Sequence, residues 1–365
     1  MRLVRSGGLH RTAPAARAAP CRKASPVLAF FLGALVFVQG CSVSVPGPVP
    51  PQPLASELPA PLGAWRVEQL PGEAGAMLAV LARPERTPPA RFRVIVVPGS
   101  GCAGMGPWAE RYFAGLLHAP VLVLHKPGVA PLARTAPADC APGFVQQDRL
   151  STWLAHARAA LQADALAQQN QGDAALPQVL VGISEGAELL PGLAAHVPRL
   201  AGLVLLSASG LDPQQAGALQ ARRAGVEQDW WALGAMADGD LPDSTIVQGR
   251  SLGYWRDLWR WPVAQPLLDG PWPIVQVWGS DDALVPAAAY ERFGQLAQQH
   301  RPGHGPAAWC ARRIDGADHG LQRRALPGHD SIDGVQQVWA WLEQWARAPH
   351  AGLCAPLQQT ASGSR

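Results

Sequence analysis

One serine of the sequence stands in a pattern that suits nucleophilic chemistry. Residues 182–186 read Gly-Ile-Ser-Glu-Gly, with an apolar β-like run before them and an Ala/Leu-rich, helix-like segment after them. A strand that turns abruptly into a helix strains the backbone at the corner and crowds its neighbours, which explains a glycine on each side. The turn points the hydroxyl of Ser184 into a cleft, where the N–H group of Glu185 can stabilise an oxyanion. By itself such a pattern is also common as an ordinary turn, so its meaning depends on partners elsewhere in the chain.

The partners that such a serine needs follow two later apolar runs. A serine hydroxyl is a weak nucleophile at neutral pH, so it requires a histidine as base and a carboxylate that orients the histidine. His319 stands in "IDGADHGLQ", and Asp281 and Asp282 stand in "VWGSDDALVP", each directly after a β-like run. Asp212, after another run, is an alternative acid, whereas Asp318 is expected to cap the histidine's own loop. The order along the chain is therefore serine, acid, base.

These residues fall at the ends of strands in a predicted parallel sheet. After about residue 63, apolar β-like runs alternate with helix-like segments, which predicts a mostly parallel sheet with helices on both faces. Two further runs, 63–70 and 75–84, are expected to add antiparallel strands at one edge. Ligands bind outside the carboxyl ends of parallel strands, so the reactive side chains are expected to meet there. The six central runs are 91–99, 120–128, 177–184, 200–210, 273–282 and 307–315.

The alternation of strand and helix breaks once, over residues 212–270. This segment has no strand signal, so it predicts a helical insertion that covers the sheet as a lid. Its tryptophans either form an apolar wall of the binding site or only pack among themselves. The tryptophans are Trp230, Trp231, Trp255, Trp259 and Trp261.

Three motifs in this order, "GISEG", "GSDDALVP" and "GADHG", resemble those of the α/β-hydrolase superfamily over essentially residues 63–350. In that family the acid stands two residues before a Val-Pro pair, which selects Asp282 over its neighbour. The resemblance implies a triad of Ser184, His319 and Asp282 that cleaves a small-molecule ester by acyl transfer. A thioesterase or a serine peptidase with the same triad, and a non-catalytic binding lipoprotein on a hydrolase scaffold, are the alternatives. A dehalogenase-like pocket is disfavoured, because that chemistry uses Asp at the position of Ser184.

A second oxyanion donor is expected from the loop after the first central run. The sequence there, "VVPGSGCAGMG", is similar to the family's His-Gly-x-Gly loop, with Pro98 where histidine is usual. Backbone N–H groups do the binding, so Ser100 is the expected donor and Gly101 the alternative. No Lys-Ser/Thr pair follows, which argues against a phosphate-binding loop. His125 and Lys126 end the second central run, where they are candidates to face the pocket.

The cysteines predict two disulfides in an exported protein. Cys102, Cys140, Cys310 and Cys354 are an even number beyond the N-terminal region and allow three pairings. On the predicted topology, the first two lie in loops at the carboxyl end of the sheet. The third begins the sixth central run, and the fourth follows a helix descending to the opposite end, so the pairs 102–140 and 310–354 are favoured. No Cys or His pair has metal-ligand spacing, and no metal or cofactor is expected.

The N-terminus resembles a bacterial lipoprotein signal. Residues 1–40 contain six basic residues and no acid, and end in the apolar run "PVLAFFLGALVFVQG", which is shorter than the roughly 20 residues of a membrane-spanning helix. Cys41 follows in a lipobox-like position and is the expected lipidation site, although a chance cysteine behind an ordinary signal peptide is the alternative. The Pro- and Ser-rich segment 41–62 is expected to be an extended tether. Ser42, in place of Asp, favours the outer membrane.

Charge excludes one class of partner. The whole chain has 30 Lys and Arg against 27 Asp and Glu, but all six basic residues of the signal would be removed with it. The remaining chain would carry 24 basic and 27 acidic residues, a net charge of −3. This balance gives no support for nucleic-acid binding. The expected organisation is therefore a signal peptide, a tether and one hydrolase domain over residues 63–365.

Overall fold

The structure is a computed structural model, and it describes residues 63–136, 139–171, 176–300, 308–323 and 331–355. The predicted signal peptide (1–40), the lipidation site Cys41 and the tether (41–62) lie outside the described residues. Within the described residues, no helix combines the length and the apolar character that crossing a membrane requires.

The centre of the molecule is an eight-stranded sheet in the order β1-β2-β4-β3-β5-β6-β9-β10. The strands from β4 to β10 in this order run parallel, while β1 pairs antiparallel with β2 and β2 with β4. The fold class predicted from the sequence is therefore confirmed, including the antiparallel edge. The strands are β1 (Arg66–Pro71), β2 (Met77–Arg83), β3 (Arg93–Val97), β4 (Val121–Leu124), β5 (Gln178–Ile183), β6 (Leu200–Leu206), β9 (Ile274–Gly279) and β10 (Trp309–Ile314).

Helices cover both faces of this sheet and bury two separate cores. Side chains alternate across a strand, so in β3 the residues Val94 and Val96 join one core while Ile95 and Val97 join the other. The first core is closed by α1 and α10, and the second by α3, α4 and α9. Burial on both faces explains why the central strands read as continuous apolar runs. These helices are α1 (Gly106–Tyr112), α3 (Leu150–Gln171), α4 (Leu190–Leu193), α9 (Ala287–His300) and α10 (Gly334–Trp345), and a short helix α2 (Pro142–Gln147) precedes α3.

The segment 212–270 is mainly helical, as its lack of strand pattern predicted. Its third helix, α7, begins after Ser251, whose hydroxyl accepts a hydrogen bond from the N–H of Tyr254 at 3.1 Å, a usual way to satisfy a free helix N-terminus. The helices of the insertion are α5 (Pro213–Ala224), α6 (Glu227–Asp238), α7 (Leu252–Trp259) and α8 (Ala264–Asp269).

The insertion also contains a small hairpin, which corrects the expectation of no strand in this segment. Strand β7 (Ile246–Val247) pairs antiparallel with β8 (Arg250–Ser251). The two residues between them, Gln248 and Gly249, have φ of 52° and 73°. Two consecutive positive φ values are typical of the tight turn that joins such strands, usually signalled by Asn-Gly. Gln-Gly is a weaker signal, and two-residue strands are too short to show an alternating pattern.

Two disulfides are present, Cys102–Cys140 and Cys310–Cys354. The pairing is the one inferred from the predicted positions in the sheet. The first joins the loop after β3 to the segment before α2, and the second joins β10 to the segment after α10. One bridge therefore lies at the carboxyl end of the parallel strands, and the other at the opposite end.

Candidate active site

Ser184, His319 and Asp282 form one hydrogen-bonded chain at the carboxyl end of the sheet. Ser184 Oγ lies 3.0 Å from Nε2 of His319. The other ring nitrogen of the histidine, Nδ1, lies 2.9 Å from Oδ2 and 3.1 Å from Oδ1 of Asp282. The structure thus brings together the three residues that were predicted to meet, in the order that nucleophilic catalysis requires.

Ser184 occupies the sharp turn between β5 and a 3-10 helix over Ser184–Leu189. Its φ is 51°, a left-handed conformation that costs energy in any residue with a side chain. The flanking glycines are required by close packing. A Cβ at Gly182 would lie 2.3 Å from the Cα of Ala187, and one at Gly186 would lie 2.2 Å from the backbone oxygen of Pro98. The strain and the crowding at this turn are those expected from the sequence pattern.

Asp282 is held as an ionised acceptor by four donors. Its Oδ1 accepts from the N–H groups of Leu284 and Val285 at 2.8 and 2.9 Å, and its Oδ2 accepts from the hydroxyl of Tyr290 at 2.8 Å. Burial by itself would raise the pKa of this carboxyl, but the hydrogen bond from His319, assisted by the other donors, outweighs it and lowers the pKa. Asp282 is therefore an anion that fixes the histidine ring.

The other candidate acids have different partners. Asp212 accepts hydrogen bonds from the N–H groups of Val263 and Ala264 at 2.6 and 2.8 Å, so it holds the start of α8. Asp281 is exposed and accepts from the hydroxyl of Ser280. Asp318 accepts from two backbone N–H groups of its own loop, as expected.

A serine at the end of β6 holds the histidine loop. Ser207 Oγ donates to the backbone oxygen of His319 at 2.6 Å, and Ser207 has a φ of 54°. The two strained serines of the site thus lie at the ends of neighbouring strands, one bonded to the imidazole and the other to the backbone of the same residue. The side chain of His319 remains 22% exposed, so the ring is reachable from solvent.

The predicted oxyanion donors lie beside Ser184. Ser100 and Glu185 both line the cavity that contains the Ser184 side chain. A Cβ at Gly99 would approach the Cβ of Ser184 to 3.6 Å, which shows how closely the loop after β3 passes the nucleophile. Glu185 is the second residue of the 3-10 helix, where an N–H group has no partner within the helix. Gly101, the alternative donor, is not among the described residues that line the cavity.

His125 and Lys126 do not line the cavity, which corrects the suggestion that they face it. Lys126 Nζ is buried and lies 2.7 Å from Glu185 Oε1 and 2.9 Å from Asp148 Oδ1. Asp148 in turn pairs with Arg250 of the insertion. His125 Nε2 accepts from the N–H of residue 105, and burial lowers the pKa of its ring to about 4, so it is neutral. The buried ion pairs thus link the insertion to the residue next to Ser184.

The cavity above Ser184 has a volume of about 320 Å³ and mostly apolar walls. Part of its wall comes from the sheet and part from the insertion. The insertion contributes Pro213, Ala216, Gly217, Gln220, Tyr254, Leu258 and Val263.

Among the described residues, none of the tryptophans lines this cavity, so the hypothesis of a tryptophan wall is wrong. The rings of Trp230 and Trp259 lie 4.6 Å apart, and Trp255 Nε1 donates to the backbone oxygen of Val247 at 2.8 Å. Trp261 Nε1 donates to the backbone oxygen of Glu188 at 2.9 Å. The tryptophans hold the insertion together and fasten it to the helix behind Ser184, and smaller side chains face the ligand space.

Tyr290 and Ser207 are site residues that the sequence did not reveal. Tyr290 lies on α9, eight residues after Asp282, and its ring stacks on Trp278 of β9 with centroids 4.7 Å apart. The sequence signal that could have identified Tyr290 is its position, an aromatic residue one helical turn after the Val-Pro pair. Ser207 directly follows the fourth central strand, the position at which ligand contacts are expected, but a serine there has no distinctive spacing.

The order of strands, the crossover helices and the turn at Ser184 define an α/β-hydrolase fold. No protein-family model matches the sequence, and no curated protein is significantly similar to it. Solved structures similar to the chain include TT1662 from Thermus thermophilus, with 23% identity, 78% of this chain and 99% of that chain covered, and a TM-score of 0.46. Two others are an esterase domain from Rhodothermus marinus (16% identity, 78% and 98% covered, TM-score 0.47) and Est1E from Butyrivibrio proteoclasticus (15% identity, 78% and 99% covered, TM-score 0.49). Function depends on the geometry of the site.

Proposed function

We propose that the chain is a serine hydrolase that cleaves a small-molecule ester by acyl transfer. The observation that carries the proposal is the hydrogen-bonded chain from Ser184 through His319 to Asp282, with the serine in a strained turn at the wall of a mostly apolar cavity. Neither a structural serine nor a binding site needs this strain together with an oriented base and an ionised acid.

In the proposed reaction, Ser184 Oγ attacks the ester carbonyl as His319 Nε2 removes its proton. The carbonyl oxygen becomes an oxyanion and binds the N–H groups of Ser100 and Glu185. The protonated histidine then delivers its proton to the leaving alcohol, which leaves an acyl group on the serine. A water molecule, activated by the same histidine, releases the acid and restores the hydroxyl. Asp282 keeps Nδ1 protonated and stabilises the imidazolium in both halves of the reaction.

The experiment that tests this function is labelling with a fluorophosphonate probe. The full chain is expected to form a covalent adduct on Ser184, and Ser184→Ala is expected to abolish labelling while circular dichroism shows an intact fold. Failure of the folded wild-type protein to label would overturn the proposal and favour a non-catalytic binding protein. Labelling that persists in Ser184→Ala would place the nucleophile elsewhere.

Ester hydrolysis is proposed over thioester and amide hydrolysis, which use the same triad. Turnover of a nitrophenyl ester, an acyl thioester and an aminoacyl nitroanilide by the same preparation distinguishes the three. The proposal requires the highest kcat/KM for the ester. A higher value for the thioester or the anilide would assign the protein to the thioesterases or the peptidases.

A second proposal concerns location, and it rests on the sequence of residues 1–62 alone. Cleavage before Cys41 and lipidation of that cysteine would anchor the domain at the outer membrane of the cell envelope through a Pro-rich tether. Radiolabelled palmitate supplied to a bacterial expression host is expected to label the wild-type protein and not Cys41→Ala. Equal labelling of both, or of neither, would contradict lipidation at this residue.

A further inference from the structure

One acidic side chain in the wall of the cavity has no role in the reaction described above. Glu188 lies four residues after Ser184 in the same 3-10 helix, Ser184–Leu189. It lines the cavity together with Ser184 and His319. The hydrogen bond from Trp261 Nε1 to its backbone oxygen fixes its position against the insertion.

The carboxyl of Glu188 is unusual because it forms no ion pair within the described part of the chain, although the charge of Lys126 acts on it from a distance. The side chain is half-buried and borders the cavity, while one of its two oxygens, Oε2, is buried and has no hydrogen-bond partner among the described residues. A buried carboxyl normally has a cation or several donors, since an isolated charge away from water is very costly. Because the rest of the side chain borders the cavity, a cationic group that enters the cavity can reach this carboxyl.

The basic side chains near Glu188 already form ion pairs with other acidic residues. Lys126 pairs with Glu185 and Asp148, and Arg250 pairs with Asp148. Two positive and two negative side chains thus form a neutral cluster behind the cavity. Asp212, the other acid nearby, is satisfied by two backbone N–H groups. Glu188 is left as one acid in excess, and its surface faces the ligand space.

We propose that Glu188 is a subsite for a cationic alkylammonium group on the substrate. The inference rests on the proposed ester hydrolysis and names the class of ester. An ammonium group that enters the cavity would supply the counter-charge that the protein does not, and the apolar walls would hold the hydrocarbon part of the same group. An ester with a carboxylate at this point would place two anions together in a site of low polarity, and would be rejected.

Matched substrates that differ only in charge test this proposal. One pair is the nitrophenyl ester of trimethylammonio-butanoate and the isosteric ester in which a tert-butyl group replaces the trimethylammonium group. The second pair carries the same replacement on the alcohol side of a butanoate ester. The cationic member of at least one pair is expected to have a kcat/KM about tenfold or more higher, the equivalent of about 1.4 kcal/mol. A ratio near one in both pairs would overturn the proposal.

The variant Glu188→Gln removes the charge and keeps the shape. Its ratio of kcat/KM for the cationic over the neutral ester is expected to fall to about one, which is a loss of the same preference of about 1.4 kcal/mol. Glu291→Gln, which removes an exposed glutamate of α9, is the matched control and is expected to keep the wild-type ratio. A preference for the cation that survives in Glu188→Gln would assign it to another group.

The preference should also depend on pH in a defined direction. Burial raises the pKa of Glu188 well above its usual range, with further raising by Glu185 and Asp212 and an opposing effect of Lys126. Tyr254 also faces this group, and burial raises the pKa of its phenol, so it is neutral. The carboxyl becomes charged as pH rises, so the ratio of cationic to neutral kcat/KM should rise with pH and then level off.

A readout that does not depend on the variants uses the wild-type protein alone. Choline is expected to inhibit hydrolysis of the neutral nitrophenyl ester competitively, and more strongly than its neutral isostere 3,3-dimethylbutan-1-ol. Equal inhibition by the two would contradict the subsite. If no ester of either pair were hydrolysed, the proposed function itself would fail, whereas hydrolysis of both members at equal rates would remove only the role of Glu188.

Discussion

The hydroxyl of Tyr290 donates a 2.8 Å hydrogen bond to Oδ2 of Asp282, the same oxygen that lies 2.9 Å from Nδ1 of His319. One carboxylate oxygen thus receives donors from α9 and from the histidine loop, while the other is held by backbone N–H groups. The orientation of the proposed base therefore depends on a residue that touches no substrate.

Tyr290→Phe tests this positioning role. The variant keeps the ring stacked on Trp278 but removes one donor that lowers the pKa of Asp282. Asp282 contributes stability above its ordinary pKa, and this contribution is lost as pH falls through the lowered pKa of the folded protein. In the variant that pKa rises, so the loss of stability on acidification should move to higher pH. Loss of a hydrogen bond to a charged group should cost about 1.5–3 kcal/mol at neutral pH. An unchanged dependence of unfolding stability on pH would contradict the role.

Matched substitutions show which of the two candidate acids, Asp282 or Asp212, orients the histidine. Asp282→Asn removes the charge that fixes the histidine and should lower kcat by about four orders of magnitude, as for the acid of a catalytic triad. Asp212→Asn keeps an oxygen that can accept at the start of α8, so it should cost less than about 1 kcal/mol of stability, with a kcat within a few-fold of wild type. Steady-state kinetics and thermal unfolding measure the two effects. A larger loss of kcat in Asp212→Asn would reverse the assignment.

The buried cluster around Lys126 should be sensitive to loss of its charge. Lys126→Met leaves Glu185 without its cation in an interior position, which is expected to cost about 3–5 kcal/mol. The double variant Lys126→Met/Glu185→Gln should recover part of this loss, because it removes the uncompensated charge as well. Arg260→Met breaks an exposed pair with Asp238 and should have no measurable effect. Denaturant unfolding of the four proteins would show this order, and additive losses in the double variant would contradict it.

The two disulfides should differ in their effect on activity. Replacing either pair by serines is expected to lower stability by about 2–5 kcal/mol. Only the Cys102–Cys140 bridge lies in the loop that carries Ser100, so only its loss should also lower kcat. The bridge between Cys310 and Cys354 lies at the far end of the sheet and serves as the matched control. Equal effects of both replacements on kcat would show that the first bridge does not support the oxyanion loop.

The features that the sequence predicted are those with a local cause. Strands buried on both faces must be apolar throughout, and the turn at Ser184 needs glycines at 182 and 186 because neighbouring backbone atoms approach them closely. Both causes act on residues that are close together in the chain, so they are visible as local sequence patterns. The acid and the base stand directly after their strands, so the topology alone brings Asp282 and His319 to the same edge of the sheet.

The features that escaped prediction depend on packing between distant segments. Lys126, Asp148, Glu185 and Arg250 come from four different parts of the chain, and no local pattern marks them as partners. The tryptophans of the insertion are a similar case. Their number predicted an apolar region but not which way each ring points, and the rings pack away from the cavity. The composition of a segment shows that it can form an apolar surface. The packing of the surrounding helices decides which way that surface points.

The same ion pairs constrain how substrates reach the site. Arg250 belongs to the insertion and Glu185 to the helix behind the nucleophile, and they are joined through Asp148 and Lys126. Swinging the insertion away as a flap would pull apart charges that have no water around them, which is far more costly than moving a surface loop. The insertion is therefore expected to keep its place over the site. Substrates and products are then expected to pass on the side where the ring of His319 is exposed to solvent.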